Sequence, residues 1–232
     1  MTAFARLAVF DVDGTLIDSQ HNIVAAMAAA YAAHGVAAPH PDAVRRIIGL
    51  SLVEAVARLS PEEDDSRHLA IAHSYKEAFS TLRQRADHFE PLYPGAVEAL
   101  AALEEAGWLL GIATGKTRRG LDSMLERHGF NGRFVTLQTA DGNPGKPHPG
   151  MLLRALAETG MAAIDSVMIG DTIFDMIMGK SAGVHTVGVT WGYHPPADLV
   201  EAGAEAMVDE YSSLPPVVAG LFGRTECALG QS

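Results

Sequence analysis

Short apolar runs recur along the chain at 7–10, 108–113, 134–137, 167–170 and 185–189, each followed within two residues by Gly, Thr or Asp. Runs of four to six apolar residues closed by a polar turn predict buried strands. Between the later runs lie segments of helical length and period at 96–106, 118–128, 149–159 and 174–182. Strand and helix therefore alternate, which predicts an α/β fold: a doubly wound, Rossmann-like parallel sheet with helices on both faces. Such sheets hold their ligands at the carboxyl ends of the strands.

The stretch 19–90 breaks this rhythm, because no strand-like run occurs in it. The Ala-rich segment 23–34, the segment 41–48 opening on Pro41, the amphipathic 52–59 and the longer mixed segment 61–89 all read as helices. An all-helical block placed directly after the first strand predicts an inserted cap domain at 19–90 on a core made of 1–18 and 91–222. The turn near Ser19 and the helix-stopping segment PLYPG at 91–95 mark its edges. The tail 223–232 is expected to be disordered.

Composition narrows the partners. With 17 Lys and Arg against 28 Asp and Glu, the formal net charge is −11, which argues against nucleic acid and anionic lipid as partners. A 48% hydrophobic, 19% charged chain of 232 residues is globular and long enough for a real core. No apolar run reaches the roughly 18 residues that span a bilayer, and the N-terminal segment is too short for a signal peptide. The single cysteine, Cys227, makes no internal disulfide, consistent with a reducing, cytoplasmic setting. A monomer or homodimer is expected.

Candidate chemistry gathers at the predicted strand ends. Asp11 and Asp13 follow the first run, Thr114 the second, and Asp171 with Asp175 the run 167–170. Taken singly, each Asp reads as a helix cap or loop residue. Brought to one edge of a sheet, these carboxylates repel by several kcal/mol unless a cation sits among them. Oxygen ligands suit Mg²⁺, which binds through one or two carboxylates plus substrate phosphate, so the expected partner is a small phosphorylated metabolite. Lys146 supplies a fixed positive charge, and Thr114 with the amide of Gly115 supplies neutral donors.

Rival readings fail on particular residues. A P-loop ending at Gly115-Lys116-Thr117 needs glycine where Leu110 stands. An EF-hand loop starting at Asp11 needs glycine at Leu16 and glutamate at Asn22. A receiver-type phosphoacceptor domain shares the ingredients, but it has no helical insertion and carries its acceptor on a middle strand.

Asp11-Val12-Asp13-Gly14-Thr15, Thr114 after a strand, Lys146, and Gly170-Asp171-Thr172 with Asp175 resemble, in order, the four motifs of the haloacid dehalogenase superfamily. The helical insertion resembles its helical-cap subclass, and the segments IGLSLVEAV, LYPGAVEAL and TWGYHPP resemble phosphoglycolate phosphatase-like members. That resemblance implies a Mg²⁺-dependent phosphatase acting through an aspartyl-phosphate. Asp11 would be the nucleophile, and Asp13 the acid for the leaving group and base for water. The metal would be held by the Asp11 carboxylate, the Asp13 carbonyl and Asp171, and phosphate by Thr114, Gly115 and Lys146. Gly14 and Thr15 would support the turn, and Asp175 would bind metal through water or orient Lys146. The second aspartate favours phosphate chemistry over halide displacement. A phosphomutase of the β-phosphoglucomutase type and an inorganic pyrophosphatase remain open alternatives, with the receiver-like domain more remote. In the cap, Arg45 and Arg46 are the candidates for reaching a substrate carboxylate or second phosphate.

Overall fold

Strand β1 (Arg6–Phe10) buries every residue after Arg6, and its alternating side chains divide two apolar clusters. Ala8 and Phe10 face one cluster, Leu7 and Val9 the other, as the period of two along a strand requires. The computed structural model describes residues 5–85 and 88–229, with side chains to 222. A parallel sheet of six strands runs through the chain in the order β3-β2-β1-β4-β5-β6. The other strands are β2 (Trp108–Thr114), β3 (Thr136–Thr139), β4 (Ser166–Gly170), β5 (His185–Val189) and β6 (Ala206–Val208). The chain steps outward from β1 to β2 and β3, then returns to the other side of β1 with β4. The order therefore reverses beside β1, the place where a doubly wound sheet opens a crevice.

Helices cover both faces. α5 (Ala96–Glu105), α6 (Arg118–Arg127) and α10 (Leu214–Leu229) pack on the Phe10 face; α7 (Gly150–Thr159) and α8 (Ile173–Ala182) pack on the Val9 face. α8 starts at a capping box, in which Thr172 accepts from the Asp175 amide and the Asp175 carboxylate accepts from the Thr172 amide, and it stops at left-handed Gly183.

Residues 19–90 contain α1 (Gln20–Ala33), α2 (Pro41–Arg45), α3 (Leu52–Leu59) and α4 (Asp65–Arg83). These helices pack around an apolar cluster of their own, built on Met27, Tyr31, Val56, Ile71 and Phe79. The chain leaves and re-enters the sheet layer side by side: the Asp18 amide donates to the Pro91 carbonyl at 2.9 Å, and Ile17 bridges to Leu92.

Several boundaries differ from the sequence reading. β3 lies at 136–139 instead of 134–137, because its buried side chains are polar: Thr136 and Gln138 both donate to Glu158 at 2.7 Å, a pairing that hydropathy does not register. The short edge strand β6 and the helix α9 (Pro196–Ala202) were not anticipated. α4 stops at Arg83, and the chain then carries His88 and Glu90 inward as a pair 3.0 Å apart. The tail expected to be disordered from 223 is helical backbone through Leu229, while 230–232 and the side chain of Cys227 lie outside the described residues. No helix among the described residues is long and apolar enough to cross a membrane.

Candidate active site

Three strand ends converge at the crevice. Asp11 follows β1 directly, Thr114 closes β2, and Asp171 follows β4. The loop between β3 and α7 delivers Lys146, and the first turn of α8 delivers Asp175. Asp11, Lys146, Asp171 and Asp175 are all 1% exposed or less. Lys146 Nζ stands 2.9 Å from Asp11 Oδ1 and 2.6 Å from Asp175 Oδ1.

Each carboxylate is held differently. Asp171 accepts from the Thr15 hydroxyl at 2.8 Å and from the Tyr193 amide at 2.9 Å. Asp175 uses one oxygen on Lys146 and the other on Thr172, so the residue that caps α8 also anchors the lysine. Asp11 is paired through Oδ1 with Lys146, which it shares with Asp175, and no other hydrogen-bond donor among the described residues reaches its carboxylate. A buried carboxylate whose one cationic partner is shared with a second carboxylate is costly to a folded protein, which makes Asp11 a candidate working group.

The electrostatics follow from that packing. Burial pushes the Asp11 carboxyl up to about 7, against the pull of Lys146 and with Asp175 adding to the rise. Burial, then Asp11 and Asp175, hold Asp171 well above the ordinary carboxylate range. Burial disfavours the charged form of Lys146, but Asp11 and Asp175 outweigh it and keep the ammonium above its usual value. Asp11, Asp171 and Asp175 each bring a ligand oxygen within 4.8 Å of the others. Three carboxylates facing one lysine leave net negative charge, and an all-oxygen donor set of this size fits a hard divalent cation.

Asp13 is placed apart from that cluster. Its carboxylate pairs with Lys116 Nζ at 2.7 Å and accepts a short hydrogen bond from the Ser19 hydroxyl. Lys116 reaches Glu90 as well, at 3.8 Å. Asp13 and Glu90 hold the ammonium above its ordinary value although burial opposes them. Thr15 braces the turn from both ends, since its carbonyl accepts from Trp191 Nε1 and the Tyr211 hydroxyl while its own hydroxyl holds Asp171. Gly14 has φ +84°, and a Cβ there would collide with Asp171, so both conformation and space require glycine.

The helical layer closes over this end of the sheet. Gly115 lies so near it that a Cβ would stand 3.0 Å from the Leu50 carbonyl, and Leu50 bridges to Lys146. Between the two layers is a cavity of about 390 Å³, with Asp11, Asp13, Gly115 and Lys116 at its sheet end. Arg45 and Arg46, the residues expected to reach substrate, do not line it. Arg45 is bound to Gln20 at 2.8 Å and to Asp42 at 2.6 Å, and the Arg46 carbonyl accepts from His194. The cations that do line it are Lys76, Arg83, Lys116 and Arg119.

Sequence reasoning missed Lys116, Ser19 and Arg83. Lys116 was visible two residues past Thr114 but read only as a failed P-loop. Ser19 stood at the predicted boundary, and Arg83 sat inside a segment without clear periodicity, so neither carried a signal.

Comparison with known proteins agrees with this geometry. The family model of haloacid dehalogenase-like hydrolases matches residues 8–189. A probable phosphatase, IndB, of Dickeya dadantii is 36% identical over 90% of this chain and 91% of its own length. A phosphoglycolate phosphatase of Agrobacterium fabrum is 28% identical over 91% of each chain. The crystal structure of a hydrolase from Pseudomonas syringae superposes with a TM-score of 0.82 at 27% identity, covering 93% of this chain and 98% of that one. The chain belongs to the haloacid dehalogenase-like hydrolase family.

Proposed function

We propose that the protein is a Mg²⁺-dependent phosphatase that hydrolyses a small phosphate monoester through an aspartyl-phosphate on Asp11. The observation that carries this reading is the Asp11 carboxylate itself: buried, paired with Lys146, grouped with Asp171 and Asp175, and opening on the cavity. The phosphatase names of its relatives support it.

An Asp11 oxygen attacks phosphorus, and the bond from phosphorus to the ester oxygen breaks. Asp13 in its acid form gives the leaving alkoxide a proton, and its carboxylate then takes one from the water that attacks the aspartyl-phosphate. Phosphate leaves, and both aspartates return to their starting states. Lys146 and Thr114 stabilise the phosphoryl oxygens while charge spreads over them. Asp11 and Asp171, with Asp175 alongside, would hold Mg²⁺, which when bound would supply charge neutralisation for the phosphoryl group. The helical layer at 19–90 serves as the cap that covers the cavity and excludes water. Its apolar walls disfavour inorganic pyrophosphate as the substrate, and a receiver-like switch has no use for such a chamber. Counting phosphate released per protein from a panel of esters tests the reading: many turnovers support an enzyme, while a single equivalent would make it a phosphoacceptor.

Two further outcomes are expected. Asp13→Asn should lower kcat by about 10²- to 10⁴-fold, the usual worth of a positioned proton donor; unchanged kcat removes Asp13 from that role. EDTA should stop turnover, and Mg²⁺ should restore it. Because burial lifts Asp11 to about 7 and Asp171 above its usual range, cation binding must displace protons at low pH. The Mg²⁺-induced rise in Tm should therefore be larger at pH 8 than at pH 6, and no rise at pH 8 contradicts the metal site.

A further inference from the structure

The cavity over Asp11 and Asp13 is larger and less polar than a phosphoryl group and a two-carbon acid require. Its volume of about 390 Å³ equals that of about a dozen water molecules, and it falls within the range of sites that enclose whole organic ligands. Ile23 and Met27 of α1, Ile47 before α3, Leu52 of α3 and Phe79 of α4 give it apolar walls. Charge within it is unevenly placed. The ammonium of Lys116 is already matched by Asp13 and Glu90. Arg83, at the last turn of α4, lays its guanidinium 5.1 Å from the centre of the Phe79 ring and shares the cavity wall with Arg119. Burial lowers the Arg83 pKa from its ordinary value; Glu90 opposes that, and Arg119 and Arg127 add to it. A guanidinium partly desolvated, stacked on an aromatic face and repelled by other cations gains most from an anion delivered by a ligand.

We propose that this cavity takes a phosphate monoester whose leaving group has an apolar, ring-sized body and a second acidic group that Arg83 binds while the phosphoryl end reaches Asp11. The inference rests on the phosphatase reading and replaces Arg45 and Arg46 with Arg83 as the residue that selects substrate. Only esters long enough to pass the apolar walls gain both anionic contacts, so a two-carbon acid gains one at most.

The test is phosphate release with Mg²⁺ from three probes: 4-carboxyphenyl phosphate, phenyl phosphate and phosphoglycolate. The wild-type kcat/KM should be at least about tenfold higher for 4-carboxyphenyl phosphate than for either of the others, the worth of one charge-assisted hydrogen bond in a partly dry site. Arg83→Met should collapse the ratio between the carboxylated and plain aryl esters to near one, and Arg83→Lys should keep part of it. The ratio separates recognition from loss of folding, which lowers both aryl esters together. A preference for phosphoglycolate, a wild-type ratio near one, or a ratio unchanged in Arg83→Met overturns the inference while leaving the phosphatase reading intact. Release from none of the three, nor from any ester of a wider panel, overturns the phosphatase reading and the inference with it.

Discussion

Asp11→Asn is expected to abolish phosphate release, by about 10⁴-fold or more in kcat as for removal of other enzymatic nucleophiles, while making the metal-free protein more stable. The two effects share one cause. The Asp11 carboxylate is buried, it shares its one cationic partner, Lys146, with Asp175, and burial lifts its pKa to about 7. A carboxyl raised on folding costs stability as pH climbs from its unfolded value, near 3.8, to the folded one. Above pH 7 the full cost is in force, of the order of a few kcal/mol for a shift of this size. Asparagine copies the neutral form at every pH and removes that cost. Without Mg²⁺, the variant should therefore melt about 5 °C or more above wild type at pH 8, with the gain shrinking towards pH 4. Thermal melts across that pH range check it. Retained turnover refutes the nucleophile assignment, and a lower Tm at pH 8 refutes the account of the buried charge.

Lys146→Met should act in the opposite sense on stability. Lys146 stands within 3 Å of both Asp11 and Asp175 and is itself 0% exposed. Removing one member of a buried pair costs about 3–5 kcal/mol because the remaining charge is left uncompensated. Here three carboxylates are left together. The lysine's own folded pKa is raised, so its contribution is present throughout the range below the unfolded lysine value; the pH dependence of the defect comes from the carboxylates. Burial lifts Asp11 to about 7, so that carboxyl is charged at pH 8 and increasingly protonated towards pH 5, and the loss of Tm should be larger at pH 8. Mg²⁺ should recover part of it, and adding Asp175→Asn should recover part without metal. Activity should fall by about 10²- to 10³-fold, as when a donor to the reacting oxygens is lost. A Tm defect independent of pH means that the lysine packs and does not neutralise.

Much of this site was legible before the fold. Asp11 and Asp171 follow strands, Thr114 ends one, Asp13 and Lys146 lie in loops and Asp175 in the first turn of α8, and strand ends are where a parallel sheet converges. The individual cap reading of Asp175 was also correct, since it closes a capping box on Thr172; only the contact of its second oxygen with Lys146 shows that one carboxylate does both. The substrate end was not legible. Arg45 and Arg46 stood out as an adjacent pair, yet Arg45 is consumed by Gln20 and Asp42 within its own layer. Arg83 had no distinguishing neighbours in sequence. β3 was misplaced by two residues because its buried face is hydrogen-bonded polar surface and not apolar surface.

By itself the sequence determined the alternation of strand and helix, the helical stretch after β1 and the set of candidate polar groups near the strand ends, because periodicity and strand-end chemistry are local properties. Tertiary structure decided which charges meet, which are spent on one another and which face the cavity. Those outcomes depend on distances between residues such as Lys116 and Glu90, or Arg83 and Phe79, set by how the helical layer packs on the sheet. Coulomb and desolvation energies vary steeply with such distances, so no reading along the chain could rank them.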